Sequence, residues 1–111
     1  LVIKNNIEYL WYAAHSGDHE IYPDCRPEFI DKMAAVLEIC DYHKINFEAP
    51  FQNLSKSEIV STGLSMGLDY SKTWTCYEGK EKPCGKCSAC LERALSFEAN
   101  NTEDPLNVVS N

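Results

Sequence analysis

Apolar residues crowd together from Ile7 to Ala14 in the run IEYLWYAA, with little alternation between apolar and polar positions. Such a run predicts a strand buried on both faces of a parallel sheet. The pattern breaks at His15, and HSGDHEIYPDCRP is full of loop formers. Loops leaving the C-terminal ends of such strands are where open α/β sheets keep their ligand sites. Order resumes at Pro27. Phe29, Ile30, Met33, Val36, Leu37 and Cys40 recur at helical spacing, and a proline suits the first turn of the amphipathic helix they predict.

The short run Ile45 to Ala49, INFEA, ends against Pro50 and predicts a second strand beside the first, completing a βαβ unit. Another helix opens at Ser55, where S-K-S-E sets a capping box between Ser55 and Glu58, while Gly63 and Gly67 blur its end. Past Leu68 the period is lost among aromatic residues and cysteines, and a last short helix is predicted from Ser88 to Glu98. The polar stretch Asn100 to Asn111 is expected to be loose. The expected fold is α/β, with a core over residues 1–70, a cysteine-bearing segment and helix over 71–99, and a flexible tail over 100–111.

Composition narrows the function. A chain of 111 residues with 44% hydrophobic content suits one domain. Its 17 acidic against 10 basic residues give a formal charge of -7, the wrong sign for general binding to a phosphate backbone or an anionic membrane. A nucleic-acid partner is therefore disfavoured. The longest apolar stretch, Tyr9 to Ala14, falls far short of the roughly 20 residues a bilayer requires. A soluble, cytoplasmic chain without a secretion signal is expected. Because it begins at Leu1 rather than Met, and its first segment already reads as the interior of a fold, a processed product or an excised fragment is expected too.

Four of the six cysteines lie in CYEGKEKPCGKCSAC, spaced Cys76-x7-Cys84-x2-Cys87-x2-Cys90. Two-residue gaps let neighbouring thiolates meet one ion, and four protein sulfurs close a tetrahedron with no place left for water or substrate. Gly85 permits the tight turn between Cys84 and Cys87, and Lys80, Lys82 and Lys86 offset the surplus negative charge. A structural zinc is the leading reading. Two disulfides and an iron–sulfur cluster are the alternatives, and the crowding of the four cysteines argues against the first.

The loop HSGDHEIYPDCRPEF gathers His15, Asp18, His19, Tyr22, Asp24, Cys25 and Arg26 behind a buried strand. An ordinary solvated loop would look much the same by composition. However, HSGDHEIYPDCRPEF, LSKSEIV and TWTCYEGKEKPCGKCSACLERA, in that order and spacing, resemble the C-terminal half of the 7-cyano-7-deazaguanine synthase family of the queuosine pathway. The resemblance covers roughly residues 7 to 105 and also favours zinc at the four cysteines.

The resemblance implies the C-terminal part of an adenine-nucleotide alpha hydrolase-like parallel sheet with helices, plus a helical zinc-binding segment. It implies an enzyme, often a homodimer, that converts 7-carboxy-7-deazaguanine, ammonia and ATP into the nitrile base. A carboxylate is a poor electrophile until its oxygen becomes a leaving group, which adenylation supplies. Ammonia then gives an amide, and a second activation permits loss of water. Such steps call for cations on phosphate and oriented polar groups on the base.

Carried over by position, His15, Asp18 and Tyr22 would bind substrate or adenylate, and Asp24 and Arg26 would be catalytic, Arg26 pairing with carboxylate or phosphate. Lys56, at the start of the capped helix, would lie by the nucleotide phosphates. Cys25 reads as a packed loop cysteine and Cys40 as core. The family's S-G-G-x-D-S loop, which grips pyrophosphate, is absent from these residues, so a complete active site is not expected here. The alternatives are a related ligase acting on another acid, or a free-standing zinc module that binds RNA or protein through Trp74, Tyr77, Lys80, Lys82 and Lys86. Glu78 and Glu81 interleave those lysines and count against the module.

Overall fold

The first apolar run pairs as a strand only over Tyr9–Trp11 (β1). Its partner, Asn46–Glu48 (β2), runs parallel to it with Tyr9 beside Asn46, Leu10 beside Phe47 and Trp11 beside Glu48. Asn46 N–H donates to Glu8 at 2.8 Å and Tyr12 N–H to Glu48 at 2.8 Å, closing the two ends of the ladder. Pro50 lacks the N–H that would continue it. These contacts come from a computed structural model, which describes residues 1–108.

Between the strands runs Pro27–Ile39 (α1), with Pro27 in its first turn as the sequence predicts. Side chains alternate across a strand, so one face of the sheet meets α1. There Ala14, Ile30 and Ala49 are buried, with Tyr12, Cys25, Phe29 and Phe47 packed against them. The opposite face carries Tyr9 and Trp11, 56% and 67% exposed, with Trp11 Nε1–H donating to Glu48 at 3.0 Å. Burial of the first strand on both faces is thus corrected: α1 covers one face and aromatic side chains stand open on the other.

Residues 1–55 and the described residues from Lys56 onward form two compact units. In the second unit, Lys56–Ser65 (α2) begins directly after Ser55. Gly63 lies inside α2, where a Cβ would strike the Tyr70 ring. The Tyr70 hydroxyl donates to Val60 at 3.1 Å, and its ring meets Phe97 edge-on at 5.1 Å. Gly67, at φ +72°, ends the helix: Leu68 N–H reaches back to Gly63 at 2.9 Å and Gly67 N–H to Leu64 at 3.0 Å.

The last helix, Ser88–Ala99 (α3), ends in the same motif with an asparagine in glycine's place. Asn101 sits at φ +50°, Thr102 N–H reaches Phe97 at 3.2 Å and Asn101 N–H reaches Glu98 at 2.9 Å. Asparagine tolerates this left-handed geometry. The reversal folds the chain back along α3, where Asp104 and Val108 are buried. Within the polar stretch after residue 100, expected to be loose, Asp104 and Val108 are therefore anchored while Asn101, Thr102, Glu103, Pro105 and Asn107 stay exposed, and 109–111 lie outside the described residues. No helix among the described residues is long and apolar enough to cross a membrane.

Candidate metal centre and site loop

The four spaced cysteines converge. Cys76, Cys84, Cys87 and Cys90 bring their sulfurs within 4.8 Å of one another, with Cys84 to Cys90 at 3.9 Å and Cys87 to Cys76 at 4.0 Å. Thiolates about 2.3 Å from one tetrahedral ion stand about 3.8 Å apart, whereas a disulfide needs about 2.05 Å. All six cysteines are free, so the paired-disulfide alternative falls. The donor set fits a tetrahedral dication and is consistent with zinc.

Gly85 turns the chain at φ +70°, which lets Cys87 N–H donate to Cys84 Sγ at 3.3 Å. Gly79 N–H and Cys84 N–H donate to Cys76 Sγ at 3.0 and 3.3 Å. Such backbone donors delocalise thiolate charge and fix the sulfurs. Without a metal, the N–H groups of Cys84, Gly79 and Glu78 hold the Cys76 thiol down at about 6, against an ordinary 9.0. Cys87 is lowered by the N–H groups of Tyr77 and Cys90. Cys90, wholly buried on α3, is pushed up to about 12 by desolvation.

The rim therefore ionises early and the floor only when a dication offsets its charge.

In the first unit, the loop after β1 is built from local hydrogen bonds. His15 is 5% exposed; its Nδ1 accepts from Gly17 N–H at 3.2 Å and its Nε2 lies 3.0 Å from the Asp18 carboxylate. Nδ1 on one side and Nε2 on the other are thus both engaged, which fixes the orientation of the ring. A single 3-10 turn, Ser16–Asp18, follows, and Asp18 C=O accepts from Tyr22 N–H at 2.8 Å. Arg26, expected at a carboxylate or phosphate, donates its Nε–H to the His19 carbonyl at 2.7 Å and braces the loop.

A second 3-10 turn, Pro23–Cys25, leaves Asp24 exposed at the surface. Burial, then the charges of Asp18 and Asp24, raise the Cys25 pKa, so it remains a thiol as a packed cysteine should. Tyr22 is half exposed. The structure thus joins His15 to Asp18. Lys56 lies in the second unit, where its ammonium pairs with Glu92 at 2.6 Å. A cavity of about 380 Å³ beside Phe97, Glu98 and Glu103 holds none of the loop residues. Cys40, expected in the core, is exposed at the end of α1.

Residues 1–101 match the model of a family described as queuosine biosynthesis protein QueC. The chain belongs to the QueC family. It is 55% identical over 97 residues to the 7-cyano-7-deazaguanine synthase of Marinobacter nauticus, covering 87% of this chain and 44% of that protein. Identity to the synthase of Psychromonas ingrahamii is 57% over 99 residues, covering 89% of this chain and 45% of the relative. With the Pseudoalteromonas atlantica synthase it is 57% over 97 residues, or 87% and 44%. The chain spans less than half the length of these QueC relatives.

Two residues of this QueC chain escaped the sequence reading. Tyr12 was absorbed into the strand by its apolar neighbours. Arg93 had a visible signal, because Cys90, Arg93, Ala94 and Phe97 form one helical stripe, and a cation within an apolar stripe calls for a buried partner.

Proposed function

We propose that this chain is the C-terminal, zinc-binding portion of a 7-cyano-7-deazaguanine synthase, an ATP-dependent carbon–nitrogen ligase that converts 7-carboxy-7-deazaguanine and ammonia to the nitrile. The observation that carries the reading is identity of 55–57% along nearly the whole chain to relatives of that name. In this reading the four cysteines hold a structural zinc, since four protein thiolates leave no coordination position for chemistry. ATP is gripped by an S-G-G-x-D-S segment outside these residues.

His15, Asp18 and Tyr22 bind the base or its adenylate, and Asp24 and Arg26 act at the reacting carboxylate. Lys56 serves the nucleotide phosphates from the N-terminal turn of α2, where its ammonium and the helix dipole both favour anions. The buried His15 supports this assignment, because both of its ring nitrogens are held in a fixed pattern by Gly17 and Asp18. The complete enzyme works as a cytoplasmic homodimer.

Mass spectrometry of the products tests the proposal. The 111-residue chain, given 7-carboxy-7-deazaguanine, ATP and ammonia, is expected to yield no nitrile. Joined to a segment carrying the nucleotide loop, it is expected to yield the nitrile with consumption of ATP. Turnover by the chain alone would refute the division of labour, and a joined enzyme that amidates only some other acid would refute the substrate.

A further inference from the structure

His19 directly follows the turn Ser16–Asp18, and its backbone is held on both sides. Its N–H donates to the Ser16 carbonyl at 3.3 Å, and its own carbonyl accepts the Arg26 Nε–H at 2.7 Å. Arg26 Nη2 reaches the next carbonyl, that of Glu20, at 3.5 Å. The side chain has no such ties at its tip: His19 Nε2 is buried and meets no hydrogen-bond partner among the described residues. A buried polar atom left unpaired bears the full cost of its desolvation, so folded proteins pair nearly all of them and an exception calls for a reason. His43 Nε2 is the other such atom among the described residues, on the connection from α1 to β2. His19 is the one in the loop after β1, next to Asp18, whose carboxylate holds the buried His15 ring at 3.0 Å.

The charge of the loop selects the ligand. Asp18, Glu20 and Asp24 flank His19 in sequence against one cation, Arg26, whose Nε and Nη2 are committed to carbonyl oxygens. That balance disfavours a phosphate and suits an uncharged group rich in N–H donors. We propose that His19 is a substrate-binding residue whose Nε2 accepts a hydrogen bond from the N–H edge of the deazaguanine base. This rests on the synthase reading above and narrows it: the His19 part of the loop takes the base, and the nucleotide phosphates lie elsewhere. A rigid backbone around an unpaired ring nitrogen is what such a role requires, since the atom is held ready for the ligand and no rotation of the loop can pair it otherwise.

Kinetics of His19→Leu and His19→Gln in the complete enzyme test the proposal. His19→Leu is expected to raise KM for 7-carboxy-7-deazaguanine about tenfold, the scale of one hydrogen bond, and to leave KM for ATP within about twofold of the parent. Its melting point should hold or rise, because leucine removes the unpaired polar atom from a buried place. His19→Gln, which returns a polar atom near the position of Nε2, should recover most of the lost affinity. An unchanged KM for the base in His19→Leu overturns the proposal, and so does a rise confined to ATP, which would assign the atom to the nucleotide. A drop in melting point shared by both variants also overturns it, because it marks a packing role. If the parent enzyme makes nitrile and His19→Leu matches it, His19 alone is dismissed and the synthase reading stands. If the parent makes none, the synthase reading falls and takes this role with it.

Discussion

Chelation of the metal is expected to abolish the cooperative thermal transition of the second unit, because the cysteines are themselves its core. Cys76, Cys90, Ala94 and Val108 are the buried members of that cluster, and Cys84, Cys87 and Leu106 pack on them. Four thiols among so few aliphatic side chains bury little apolar area. A structural zinc contributes about 10–16 kcal/mol in small peptides, comparable to or larger than the roughly 5–15 kcal/mol net stability of an ordinary domain. Elemental analysis should find near-stoichiometric zinc, and a chelator titration followed by circular dichroism should show the loss of α3. Cys90→Ser should reproduce it without chelator, since Cys90 is wholly buried. Zinc-free protein that melts unchanged would defeat the assignment.

Breaking the buried ion pair on α3 is expected to destabilise the protein by about 3–5 kcal/mol, the scale for leaving one buried charge without its partner. Arg93 and Asp104 are only 4% and 1% exposed at their side chains. Two hydrogen bonds join them as a fork, Nε to Oδ2 at 2.6 Å and Nη2 to Oδ1 at 2.7 Å. The same guanidinium donates to Thr73 Oγ1 at 2.9 Å and to the Tyr70 carbonyl at 3.2 Å, and lies 5.3 Å from the centre of the Phe97 ring. It therefore gathers the segment before the knuckle, the helix after it and the chain beyond. Arg93→Ala and Asp104→Ala should each lower stability strongly in denaturant titrations of the zinc-loaded chain. Replacing both by Met and Leu should cost much less than the sum, because no charge is then left unpaired. Additive losses would show that the pair is not coupled.

The four-cysteine centre and the ion pair share one helix. Cys90 and Arg93 are three residues apart on α3, so the turn that presents the deepest sulfur also presents the guanidinium. Loss of either should loosen the other, readable as faster hydrogen exchange at Thr102, whose N–H bond to Phe97 closes the helix.

Local patterns were legible without coordinates because their physics is local. The helical period after Pro27 foretold α1, INFEA foretold β2, and S-K-S-E foretold the start of α2. The cysteine spacing foretold the metal centre, since two-residue gaps and one left-handed glycine bring Cys84, Cys87 and Cys90 together, while Cys76 joins across a seven-residue loop. Family membership was legible for the same reason, resting on contiguous motifs. What only the tertiary structure decided lies between residues whose separation carries no period. The sheet leaves Tyr9 and Trp11 open because nothing else in residues 1–55 layers over that face, and a strand's pattern cannot announce which neighbour covers it. Asn101 in the left-handed region turned a polar, seemingly loose stretch back onto α3 and gave Arg93 its partner eleven residues on. Tyr12 meets Phe29 and Phe47 only because α1 and β2 hold its ring from two sides, a constraint made by packing and invisible to sequence distance.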